Sequence, residues 1–292
     1  MSMEEMMYTG LRYIAAQGED EIPLGEGLAL VRPNEVLLAG RWKHAMGDGD
    51  FEDQATATRF LVCKYSTLIP GCDVLEAERR GTERFYSGLM AIQVIKPVQT
   101  YGFIYSRQRI EHRPPMDAGQ WARMNVFNDE MLASIPAMAK QIHSVMEGDN
   151  AERKNAITLL QLGLENFHPY IAGLLWTMGL EAILDSRTRH EFKQKLCDRL
   201  GADTLVFPRW DDDTVGPMHT VEEIAIPLYM LRNKLARGAD LRKAATDKST
   251  PVDLTARVKL SEFSQETGYA ALLSEAACYL LCQVLQKVLP GN

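Results

Sequence analysis

Several things are scarce in this chain, and each shortage removes a class of function. Basic residues do not prevail: 32 Lys and Arg stand against 39 Asp and Glu, a net charge of -7. A dominant electrostatic grip on nucleic acid is therefore not indicated for the whole molecule, although a local basic patch stays open. The five cysteines, Cys63, Cys72, Cys197, Cys278 and Cys282, are odd in number and none forms a CxxC pair. Cys278 and Cys282 are one helical turn apart, which would suit a metal but suits two small apolar residues of a core helix better. A reduced cytoplasmic protein with no metal and no cofactor fits this usage. There is no HExxH, Walker loop, GxGxxG or GxSxG, so the common metalloprotease, nucleotide-loop and hydrolase signatures are missing. Residues 1–7 are acidic and polar rather than basic then apolar, unlike a secretory leader. Apolar run 170–184 contains Glu181, and run 269–289 is interrupted by Ser274, Glu275, Gln283 and Gln286. Both read as buried core helices and no membrane span is expected.

What is present divides into two parts. Residues 1–130 read as a mixed α+β domain of unknown role. Runs 27–32 (GLALVR) and 35–38 (EVLL) flank Pro33-Asn34 and suggest a hairpin. Run 56–65 (TATRFLVCKY) is a further strand, and 97–107 alternates apolar and polar like another. Residues 73–94 read as a helix interrupted by Gly81 and Gly88. Beyond Pro114-Pro115 the pattern becomes helical. A helix is expected over 134–147 with Pro136 in its first turn, and another over 153–166 with Asn150 as cap. Pro169 starts an almost wholly apolar helix ending at Leu184, followed by an amphipathic one over 188–200 that Gly201 closes. Thr220 and Glu223 form a capping box, and Pro227 makes the following helix either start late or kink. Residues 239–260 read as an exposed excursion, and 261–289 as a long final helix.

The most informative stretch is 226–241, IPLYMLRNKLARGADL. Glu181, in the upstream GLEAILD run, lies on an apolar helix, where an ionised carboxylate needs a partner. Arg232 is the natural one, which would make the pair structural. Arg237 in a last helical turn favours the helix dipole without any ligand, Asn233 can bond neighbouring backbone, and Gly238 suits a helix C-cap.

Taken together, the helix over 153–166, the GLEAILD helix, the amphipathic segment 192–200, the LRNKLARG run and a closing helix resemble the large HEPN domains of prokaryotic defence and toxin systems, in particular the ApeA-like kind. The resemblance covers roughly 136–289 and implies an all-α HEPN-like helical bundle over 136–292, dimeric through that bundle. In that family a helix carries arginine, usually asparagine, and a histidine a few residues on, often followed by glycine. Arg232, Asn233 and Gly238 match, while the histidine position holds Arg237. Active members cleave RNA without metal, the arginine and histidine acting across a dimer cleft. A guanidinium stays protonated at any working pH and cannot replace a proton-transferring histidine. The resemblance thus implies RNA or nucleotide binding by Arg232, Asn233 and Arg237 with absent or weak cleavage, in antiviral defence or toxin–antitoxin biology. The N-terminal part would then sense or bind a ligand.

Two other readings stand beside it. One is a structural or regulatory dimerisation module without a nucleic-acid role, which the acidic balance favours. The other is an active ribonuclease in which Arg232 works with another histidine, His219 being the first candidate. Arg232 and Arg237 are five residues apart, about 140° around an ideal helix, so they converge on one ligand only if the last turn unwinds or a second subunit contributes. The acidic runs 48–53 and 211–213 read as solvated turns rather than cation loops, and Trp121, Trp176 and Trp210 as packing residues.

Overall fold

The structure, a computed structural model, describes residues 4–12, 20–32, 59–66, 73–100, 103–105, 110–112, 116, 127–166, 168–206, 219–237 and 265–289. An antiparallel sheet with helices is followed by a helical region, so the α+β then helical order expected from the sequence is present. The chain divides into two compact units, one running to Glu147 and the other Gly148–Leu289.

In the first unit the strands are β1 (Glu4–Arg12), β2 (Glu21–Gly25), β3 (Leu28–Val31), β4 (Arg59–Ser66), β5 (Gln99–Thr100), β6 (Phe103–Tyr105) and β7 (Ile110–His112). They pair in the order β2-β3-β4-β1-β6-β7, with β5 also on β1. The long β1–β4 ladder, Glu4↔Ser66 to Leu11↔Arg59, is the centre of the sheet. Successive side chains of a strand point to opposite faces. Because Tyr8, Thr9 and Leu11 are all buried, and likewise Phe60, Leu61, Val62 and Cys63, both faces of these two strands are covered.

Helix α1 (Val74–Ile95) starts where Asp73 accepts a hydrogen bond from the Glu76 amide at 2.7 Å, an ordinary N-cap. It packs on the face carrying Cys63 and Tyr65. The two glycines that look like helix interruptions are what allows this. A Cβ on Gly81 would stand 2.8 Å from the Tyr65 ring, and one on Gly88 the same 2.8 Å from Leu28 Cδ1.

One hairpin was not anticipated from the sequence. β2 and β3 pair across a turn at Glu26 (φ 51°) and Gly27 (φ 81°). There a Cβ on Gly27 would meet the Lys64 carbonyl oxygen at 2.3 Å. The Pro33-Asn34 turn lies outside the described residues. Within the strand expected over 97–107 the described residues form β5 and β6, and β1, β2 and β7 were not anticipated. Helix α2 (Asp129–Glu147) begins a turn earlier than expected, so Pro136 sits inside it. Its start is set by Asn128, whose side chain accepts from the Met131 amide at 2.8 Å, and by Asp129 and Glu130 in the first turn. The sequence expectation placed most of this helix with the C-terminal bundle, but it packs on α1 and belongs to the first unit.

The second unit contains α3 (Ala151–Leu164), α4 (Pro169–Leu184), α5 (Arg189–Leu200), α6 (Val221–Ala236) and α7 (Gln265–Val288). The expected caps are in place. Asn150 accepts from the Arg153 amide at 2.9 Å, and Thr220/Glu223 form a reciprocal capping box, while Thr188/Glu191 form a second one that was not anticipated. Pro227 neither delays α6 nor ends it, since the helix is continuous from Val221. Helix α4 packs on α3, α5, α6 and α7. Close approach again depends on missing side chains. A Cβ on Gly163 would lie 2.2 Å from Trp176 Nε1, and one on Gly173 the same 2.2 Å from Ser274 Oγ. Trp176 donates to the Leu160 carbonyl at 3.2 Å, so its one polar atom is matched inside the core.

Candidate functional site

The motif residues lie where the second half of α6 meets the end of α4. Two opposed requirements fix the geometry. Leu228 and Leu231 bury the apolar stripe of α6, and this turns Arg232 toward Glu181 on α4. Arg232 Nη2 lies 2.8 Å from Glu181 Oε2, with side-chain exposures of 28% and 12% respectively. Nη1 donates to Asn233 Oδ1 at 2.8 Å. Nε is buried and has no hydrogen-bond partner among the described residues. Burial pushes the Glu181 carboxyl above its ordinary range, and the charge and hydrogen bond of Arg232 work against that shift.

A second polar tie reinforces this corner. The Tyr229 hydroxyl donates to the Arg187 carbonyl at 3.1 Å, pinning the α4–α5 connection onto α6. Tyr229 also packs against Phe192, ring centroids 5.5 Å apart. Sequence reading passed over Tyr229. The available signal was a tyrosine on a core-facing position, whose hydroxyl must find a partner.

The remaining candidates are dispersed. Arg237 forms the C-cap of α6, is exposed, and uses its backbone N–H to bond the Asn233 and Leu235 carbonyls. Its side chain has no ion pair among the described residues. His219 is buried at the opposite end of α6, with Nδ1 3.6 Å from Glu223 Oε2. Thirteen residues separate it from Arg232, about 20 Å along a helix rising 1.5 Å per residue. Within one chain the two cannot act on the same phosphodiester. Gly238, both acidic runs, Trp121 and Trp210 lie outside the described residues.

Cys63, Cys278 and Cys282 are buried, and Cys197 is half-buried. Burial pushes the Cys63 thiol up to about 11, which makes it a poor nucleophile. Among the described residues no group of three or more His, Cys, Asp and Glu could hold a metal ion. No helix among them is long and apolar enough to cross a membrane.

The corner can do two things chemically. It can lock α4 to α6, and it can present the exposed Arg237 cation at the helix end. No protein-family model matches the chain, and no curated protein or solved structure shows significant similarity to it.

Proposed function

We propose that the second unit is a HEPN-like helical bundle whose motif arginine serves the fold, making the chain a non-cleaving protein of that type. Its role is structural or regulatory, in a setting of prokaryotic defence or toxin–antitoxin biology. The Glu181–Arg232 contact at 2.8 Å carries this reading. A guanidinium whose charge is matched by one carboxylate attracts a phosphate weakly, and its unpartnered Nε–H is buried out of a ligand's reach. Arg237 holds a fixed charge and cannot move a proton, and His219 lies about 20 Å from Arg232 along α6. Of the motif residues, Arg237 is the one left for RNA or nucleotide contact, an exposed cation on a chain of net charge -7. Pairing of two copies through the bundle belongs to the same proposal. Ile171 and Met178, seven residues apart on α4, are exposed apolar side chains that such an interface would cover.

The test is incubation of the full chain with single-stranded RNA in chelator at low salt. The expected result is intact RNA, with any residual binding unchanged in Arg232→Ala and reduced in Arg237→Ala. Metal-free cleavage abolished by both Arg232→Ala and His219→Ala would overturn the proposal.

A further inference from the structure

The first unit holds a groove between α1, α2 and the β2–β3 turn, enclosing about 660 Å³. That lies within the range of small-molecule sites, roughly 300–1,000 Å³. Its lining is of two kinds. Leu24, Leu28, Pro136 and Ala139 give an aliphatic floor. Arg79, Arg80 and Arg84 from α1, with Lys140 and His143 from α2, give a basic rim.

The cations are not equivalent. Arg79 is bonded to Glu76 and Glu83, and Arg80 to Glu76 at 2.7 Å. Those charges are already matched, and the two arginines hold the Glu76 carboxyl at about 2. Arg84 and Lys140 have no carboxylate partner among the described residues. Arg84 Nη1 donates instead to the main-chain oxygen of Glu26 at 3.0 Å, which fixes the guanidinium at the left-handed turn. Two of the lining carboxylates are otherwise engaged or outward: Glu147 lies 3.8 Å from His143, and Glu26 is exposed.

We propose that this groove binds a small phosphorylated ligand with an aliphatic body, its phosphate shared between Arg84 and Lys140. A planar carboxylate is satisfied by one arginine fork, whereas a phosphate has oxygens enough for donors on two different helices. No Phe, Tyr or Trp lines the groove among the described residues, and the one ring there, His143, stands beside Glu147, so the groove offers little stacking platform for a nucleobase. The aliphatic floor takes the body of the ligand. This site lies in the first unit and does not rest on the HEPN-like reading of the second.

Calorimetric titration of the full chain with hexyl phosphate, hexanoate and hexanol tests it. Hexyl phosphate is expected to bind saturably at one site per chain, more weakly as salt rises, while hexanol does not bind. Lys140→Gln and Arg84→Gln are each expected to weaken hexyl phosphate by about tenfold or more, as for loss of a charge-assisted hydrogen bond. Lys140 is exposed, so its variant keeps the test valid if loss of Arg84 disturbs the turn. Three results would overturn the proposal: no saturable binding of hexyl phosphate, hexanol binding as tightly, or unchanged affinity in Lys140→Gln. Hexanoate binding as tightly as hexyl phosphate would overturn the phosphate assignment.

Discussion

At the scale of single residues, the outcome turns on what Arg232 faces. A half-buried carboxylate left alone is far costlier than the same pair replaced as a unit. Arg232→Ala is therefore expected to destabilise the helical unit by about 2–3 kcal/mol at neutral pH, somewhat below the range for fully buried pairs. Glu181→Gln, which keeps an acceptor for the guanidinium, should cost about 1 kcal/mol or less.

The pH dependence has a definite sign. Glu181 is shifted upward in the folded state. Its contribution is fully present below the unfolded carboxyl value and is lost as pH rises through the folded value. Removing Arg232 removes what opposes that shift and widens the window upward. The Arg232→Ala deficit should thus be largest near pH 7 and shrink toward about pH 5, just above the ordinary glutamate value, in denaturant melts across that range. A deficit that grows as pH falls would contradict the role assigned to Glu181.

At the scale of elements, helix approach depends on glycines rather than on large core residues alone. Gly163 sits inside α3, where alanine is the better helix former by about 0.5–1 kcal/mol. Its neighbour is the Trp176 indole, which a Cβ would meet at 2.2 Å. Overpacking of this kind costs roughly 1–3 kcal/mol. Gly163→Ala is therefore expected to destabilise α3 against α4, seen as lost hydrogen-exchange protection in both helices and a shifted Trp176 emission. Unchanged or increased protection would contradict the packing described.

The same elements show what could be read in advance. Asn150, Thr220 and Gly201 marked helix ends through local chemistry that acts within four residues, and they were legible. The Glu181–Arg232 pair was legible too, because an acid on an apolar helix demands a base. The strands β1 and β7 and the β2–β3 hairpin were not. Strand pairing is settled by distant partners, and β1 is defined by Arg59–Ser66, some fifty residues on in the chain. Gly81 and Gly88 read as flaws because the tyrosine and leucine they admit come from other strands. The start of α2 is set by Asn128 and the acidic turn beside it, a signal that Pro136 obscures in the sequence.

At the scale of the whole molecule, two units divide the chemistry. The first carries the basic-rimmed groove, and the second carries a corner in which charge is spent on joining helices. With a net charge of -7, neither depends on attracting nucleic acid by bulk field. The central claim is that Glu181 and Arg232 act on each other and not on a ligand. A double-mutant cycle tests it most directly, comparing wild type, Glu181→Gln, Arg232→Met and the double variant by hydrogen exchange at the α4 and α6 amides. The account predicts a coupling of about 1 kcal/mol or more, with the double variant more stable than the sum of the single losses. Additive effects, within about 0.3 kcal/mol, would show that Arg232 is free to serve another partner and would contradict it.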